Sequence, residues 1–232
     1  MKPHLIISMV IIISSFHFSC KKDSNIDGGI VSRVVGNAVI ERNNTKSNLK
    51  NGDAFSNGDI IETGSSSIVI VSINNSTADI EIKENTRFEM KTVSNYNLVN
   101  GNIWLRVNKK LSKNDQIILN TKTSIAAIRG TKLYIFQMGD ITGICHCEGE
   151  VDFKSTKNPY EGHHNRDYMV LTKGDKTVLL TPEELSFLGT IGSDHHHSAL
   201  EDSPLGPAEK KLSPDQQKLF MEVINYKFSL VK

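Results

Sequence analysis

At 232 residues, with 38% apolar content and a formal net charge of +1, the chain is long enough for one substantial domain and a smaller appendage. The balance of 27 Lys and Arg against 26 Asp and Glu excludes the strongly basic surface of a nucleic-acid binder. Three cysteines in the whole chain exclude a disulfide-dense mini-scaffold.

The N-terminus begins with a short basic region, Met1-Lys2-Pro3-His4, followed by an apolar run from Leu5 to Ile13 that is interrupted only by Ser8, and then by Ser14 to Cys20. This order is that of a bacterial lipoprotein signal, with cleavage before Cys20. The apolar run falls well short of the roughly 20 residues that span a bilayer. Residues 1–19 are therefore read as signal, and residues 20–29 as a lipid-bearing Cys20 and a polar tether. The expected location is the cell envelope, anchored by lipid to the outer membrane on its periplasmic or surface face. The membrane is then one partner, and an envelope protein or glycan is another. The sequence leaves the oligomeric state open.

From Ile30 to about Lys157 the chain consists of short β-rich runs between Gly, Asn, Asp and Ser turns, which predicts a mainly β domain, a sandwich or coil, over residues 30–157. The runs include Ile68–Ile73, Asp79–Ile82, Asn102–Val107 and Lys132–Phe136. Ile103, Leu105 and Val107 recur at every second place, so they share a buried face, with Trp104 and Arg106 on the other. Asn51-Gly52-Asp53, Asn57-Gly58-Asp59 and Asn100-Gly101 supply the positive φ angles of tight turns and are each expected at a corner between strands.

Residues 158–232 are read as a C-terminal extension. Tyr168–Leu171 and Thr177–Leu180 suit two strands, and Thr181-Pro182-Glu183-Glu184 suits a helix start with Thr181 and Glu184 as its capping box. Asp194 to Pro207 reads as loop. Ser213-Pro214-Asp215-Gln216 is a second capping signature, with Leu219, Phe220, Val223 and Ile224 at helical spacing behind it. A helix from about Pro214 to Phe228, packed on the β domain, follows from that pattern.

Several segments together resemble the FecR domain in order and spacing. They are Val35-Gly36-Asn37-Ala38-Val39, Leu49-Lys50-Asn51-Gly52-Asp53, Gly58-Asp59-Ile60-Ile61-Glu62-Thr63-Gly64, Glu84-Asn85-Thr86, Val99-Asn100-Gly101-Asn102-Ile103, Ile128-Arg129-Gly130-Thr131 and Glu148-Gly149-Glu150-Val151. The resemblance implies an exported β-rich domain, rolled into a sandwich or β-helix-like form. Its best-known members relay an iron-uptake signal from an outer-membrane transporter to a sigma factor. Those members carry a sigma-binding segment and a transmembrane helix ahead of the domain, where this sequence has a signal peptide, so a sigma-regulating role is not expected. A smaller departure is Asn120-Thr121-Lys122-Thr123, where the family has proline after the threonine. Arg129, Gly130 and Thr131 are expected to be structural, the arginine completing a hydrogen-bonded corner.

Chemistry, if present, centres on Cys145 and Cys147. Two residues apart on a strand, their side chains share a face with Cα atoms about 7 Å apart, and His146 points the other way. If Ile144 faces the core, His146 takes the place of a core aliphatic residue. Three fates are open to the thiols. A disulfide suits an oxidising compartment but needs a kink or bulge to close, for which Gly143 and Gly149 are the candidates. Shared coordination with His163 or His164 and one of His195, His196 and His197 suits zinc, copper or iron, or haem. The third fate is two unreactive small residues with histidines on solvated loops. A metal-dependent hydrolase would need an open coordination position and a base such as Glu148 or Glu150, and no His-Glu-x-x-His spacing, phosphate loop or serine elbow is present. The expectation is a non-enzymatic binding or sensing lipoprotein, the alternative a purely structural or protein- and glycan-binding one.

Overall fold

The computed structural model describes residues 28–74, 76–108, 111, 115–148, 151–157, 161–164, 168–181, 183–184 and 213–231. Cys20, residues 21–27 of its tether and His195–His197 lie outside the described residues, whereas Gly28 and Gly29, read as the end of the tether, already pair with Ser56 and Phe55 at the start of the first strand. The described residues form a mainly β protein of seventeen strands with one long helix, Pro214–Ser229, at the C-terminus.

The strands make two layers. In spatial order, the first carries β4 (Ala54–Ser56), β1 (Gly28–Val35), β6 (Ile68–Ile73), β7 (Ala78–Ile82), β9 (Asn95–Val107), β12 (Lys132–Met138), β13 (Ile141–Glu148), β16 (Tyr168–Lys173) and β17 (Lys176–Leu180). The second carries β3 (Thr45–Asn48), β2 (Ala38–Arg42), β5 (Ile60–Thr63), β8 (Arg87–Thr92), β9 again, β10 (Ile117–Asn120), β11 (Ser124–Ile128), β14 (Val151–Ser155) and β15 (Glu161–His164). Of these pairings only β9 with β10 is parallel. β15, β16 and β17 pair onto β14 and β13, so the sandwich continues as far as Leu180.

β9 belongs to both layers. Up to Asn100 it pairs with β8, and from Gly101 it pairs with β12 and β7. The sequence suggested a corner between strands at Asn100-Gly101; the chain instead stays one strand and bends there from layer to layer. Gly101 has φ +90, and a Cβ would sit 2.2 Å from Thr86 Oγ1 and 2.5 Å from Thr86 Cα, so only glycine fits.

The alternation predicted for β9 holds: Ile103, Leu105 and Val107 enter the core between the layers with Val31, Phe55, Ile61, Val71, Phe88, Tyr96, Leu119, Ile128 and Phe153. Trp104, on the opposite face, is buried as well. The cause is the terminal helix, which sets Ile224 and Phe228, with Phe220, Met221 and Val223 beside them, against Trp104, Phe136, Ile141, Cys145, Met169, Leu171, Val178 and Leu180. Burying Ile224 and Phe228 contributes about 2–3 kcal/mol each to docking. Leu219, predicted on the same stripe, is instead 40% exposed. Lys176 Nζ donates to the carbonyls of Phe228 (3.4 Å) and Val231 (2.6 Å), placing a cation at the negative end of the helix dipole.

Candidate functional site

The signature segments of the sequence converge on structural corners. Asp59, almost fully buried, accepts a two-point bond from Arg42 (Nε to Oδ1 2.8 Å, Nη2 to Oδ2 2.6 Å) and a third from the Ser56 amide at 2.7 Å. Thr63 Oγ1 donates to the Lys83 carbonyl and accepts from the Thr86 amide at 3.0 Å. Thr86 Oγ1 in turn accepts from the Asn102 amide at 3.0 Å, on the far side of the Gly101 bend. Ser67 Oγ accepts from the Asn37 amide at 2.9 Å. These groups close the turn between β5 and β6 over the bend of β9. Arg129 forms an ion pair with Asp152 on the adjacent strand β14, and the Thr131 carbonyl accepts from the Val107 amide at 2.9 Å. Gly130, between them, takes φ +73.

Another set of hydroxyls, which the sequence did not single out, links the two layers. Thr142 on β13 and Thr172 on β16 each stand 2.7 Å from Thr123 Oγ1, in the turn between β10 and β11, and Thr172 also meets Ser124 Oγ at 2.7 Å. Thr142 extends the network to Gln137 Oε1 at 2.7 Å, and Gln137 Nε2 donates to the carbonyls of Gly139 and Ile141. All are buried. The turn at residues 121–124 is thus anchored by side chains.

Electrostatics follow the same division. Asp79 lies on the outer face of the first layer. Burial raises its pKa, but hydrogen bonds from Asn108, Arg106 and Ser72, with the Arg106 charge, outweigh burial and hold it below the ordinary carboxylate range. Glu184 accepts from the Thr181 amide at 2.9 Å, with its own amide directed back to Thr181 Oγ1 in the predicted capping box. Burial raises its pKa too, but the hydrogen bond and charge of Lys227 on the terminal helix bring the net shift below the ordinary value. Burial pushes the Tyr96 phenol up, in the core stack with Phe88.

The two cysteines have different settings. Ile144 faces the core, so Cys145 takes the opposite face. It is a thiol, fully buried in the cluster beneath the terminal helix. Cys147 sits at a bulge: Leu133 pairs with His146 and Lys132 with Glu148, leaving Cys147 between the two pairs. The sequence offered Gly143 and Gly149 as sources of such a kink. Gly143 instead makes room for Phe136, whose ring would lie 2.1 Å from a Cβ placed there.

His146 points into the sandwich, as the parity required, and is 2% exposed. Both ring nitrogens are buried with no hydrogen-bond partner. His163 and His164 lie on β15, opposite Asp152 and Val151 respectively. The register brings these positions to one end of the sandwich: β13 leaves the first layer at Glu148 and β14 enters the second at Val151, while β15 leaves the second at His164 and β16 enters the first at Tyr168, the partner of His146. Cys147, His146 and His164 therefore belong to two adjacent crossovers. Cys145 belongs to the helix packing. Among the described residues no three His, Cys, Asp or Glu side chains gather as a metal set.

No family model matches the chain, and no curated protein matches it. Solved structures similar to it include two of a "putative anti-sigma factor" from Parabacteroides distasonis. The one at 1.65 Å resolution aligns with a TM-score of 0.46 at 8% identity, covering 57% of this chain and 65% of its own. The one at 2.50 Å aligns with a TM-score of 0.47 at 9% identity, covering 72% and 90%. The chain thus spans less than two thirds of the length of the first. Likeness this distant carries no statement about activity. No helix among the described residues is long and apolar enough to cross a membrane.

Proposed function

We propose that the protein is a non-enzymatic, FecR-like binding or sensing module of the cell envelope, held to a membrane by lipid on Cys20. We further propose that it takes up a transition metal at the crossover end of the sandwich. The observation that carries the metal reading is the register that sets the Cys147 bulge and the end of β15, with His163 and His164, on adjacent crossovers. A thiolate and imidazoles form a donor set suited to zinc or copper. One of His195, His196 and His197 is the further donor proposed from the sequence.

The non-enzymatic reading is supported by how the motif residues are used. Asp59, Thr63, Thr86 and Arg129 all spend their polar atoms on turns and strand ends. The FecR resemblance of those motifs supports the family reading, and a partner at the envelope, protein or glycan, follows from it.

The experiment is elemental analysis, with a thiol count, on untagged full-length protein purified without a chelating resin. About one zinc or copper per chain is expected, with loss on Cys147→Ser. Metal-free protein would refute the metal site, and metal-free protein with neither Cys145 nor Cys147 titrating as a thiol would establish the disulfide instead.

A further inference from the structure

His146 is the residue of this fold that packing does not explain. Its neighbours on the adjoining strands are Leu133 and Tyr168, in a layer whose inward positions are otherwise taken by Leu105, Ile135, Ile144 and Val170. A leucine or isoleucine there would bury the same volume at no polar cost. A neutral imidazole brings one donor and one acceptor, and leaving either buried without a partner forfeits its hydration with no return. Among the described residues, His146 is the one with two such atoms. Arg106 and Arg129, which each leave Nε without a partner, still use their outer nitrogens on aspartates. A buried group left in this state calls for an ion, a water or a chemical role.

The two crossovers supply an ion's other partner. His146 and Tyr168 pair in the first layer, Val151 and His164 in the second, and Val151 is buried in the core. With layers packed about 10 Å apart and adjacent strands about 4.8 Å apart, four positions at the same level approximate a rectangle. Its diagonal, from His146 to His164, is about 11 Å between Cα atoms, a span that two imidazoles meeting at one ion bridge.

We infer that His146 is a metal ligand, sharing a zinc-type divalent ion with His164 at the crossover end of the sandwich. The inference rests on the proposed metal site and changes its anatomy, since His146 was not among the donors the sequence offered. Cys147, one residue on at the bulge, supplies the sulfur donor, and its thiol proton is released to solvent on binding. Cys145 takes no part, because it lies on the other face of β13 beneath the terminal helix.

The test is zinc and cobalt titration of metal-free, full-length protein and of His146→Leu. His146→Leu is expected to weaken zinc binding by at least about 100-fold, beyond the 10–100-fold of second-shell changes, while the metal-free variant melts no lower than the metal-free parent. Wild-type affinity in a folded His146→Leu protein overturns the inference and leaves the metal reading intact, since that reading fails separately if the parent binds neither ion or if Cys147→Ser binds as tightly as the parent. Should His146→Leu not fold, imidazole 15N resonances of the wild-type protein decide: zinc must shift those of His146, and unshifted resonances overturn the inference.

Discussion

The two ends of this sandwich treat buried polar side chains differently: at the bend one oxygen, Asn102 Oδ1, lacks a partner, whereas at the crossovers a whole imidazole does. At one end, where Gly101 pairs with Gln137, the Thr63 and Thr86 hydroxyls each serve several backbone groups and hold the β9 bend closed. At the other, where Leu133 pairs with His146, an imidazole is enclosed with neither nitrogen satisfied. Both ends were flagged by sequence motifs. The difference teaches that a motif of turn glycines and hydroxyls marks architecture when its polar atoms are consumed by the backbone. A polar side chain left with no partner at all inside a core is where a ligand is sought first.

The comparison can be broken most forcefully at the satisfied end. Gly101→Ala drives a Cβ into Thr86 at a positive φ, and is expected to cost about 3–5 kcal/mol. Gly52→Ala, at a similar φ of +88 with nothing within 4 Å, is expected to cost only about 1–2 kcal/mol. Urea unfolding midpoints of the two variants check the gap, and equal losses would show that the Thr86 contact is not what fixes the bend.

A finer test exchanges one hydroxyl for a methyl. Thr63→Val removes the acceptor of the buried Thr86 amide and is expected to destabilise by about 1–3 kcal/mol. In metal-free protein the change has the opposite sign to His146→Leu, which relieves a polar group rather than stranding one. Thermal melts of both variants under chelator show whether the ends differ as described.

The smallest effect is on the outer face. Asp79 has a folded pKa below its ordinary value of 3.8. The stability it provides is present above its unfolded pKa and is lost as pH falls through the folded one. With burial working against the hydrogen bonds and the Arg106 charge, the net contribution is expected to be small, about 1 kcal/mol or less. Asp79→Asn should therefore flatten the loss of melting temperature between about pH 5 and about pH 3. An unchanged slope would mean that the Arg106 and Asn108 bonds carry no charge-dependent stability.

Much of the fold was legible in local pattern. Alternation placed Ile103, Leu105 and Val107 inward, and the capping boxes located Thr181–Glu184 and the terminal helix. With Ile144 inward, strand parity alone sets His146 in the core as well. Features set by distant partners were not legible. Asn100-Gly101 reads as a hairpin corner because nothing local says that β8 and β12 lie on either side of it. The burial of Trp104 and Cys145 depends on a helix more than sixty residues further along the chain. The Cys147 bulge depends on the register of Lys132 and Leu133, which a Cys-His-Cys run cannot reveal.

β9 gives the molecule its mechanical character. Because one thirteen-residue strand carries hydrogen bonds in both layers, neither layer is a separable folding unit. Melting either one strips a row of partners from the other, so loosening spreads across the whole β structure instead of stopping between the layers. The amides of β9 then open only in the global unfolding event, while the short outermost strands β3 and β4 fray first. A ligand held at the crossover end would be felt through that shared strand by both layers at once.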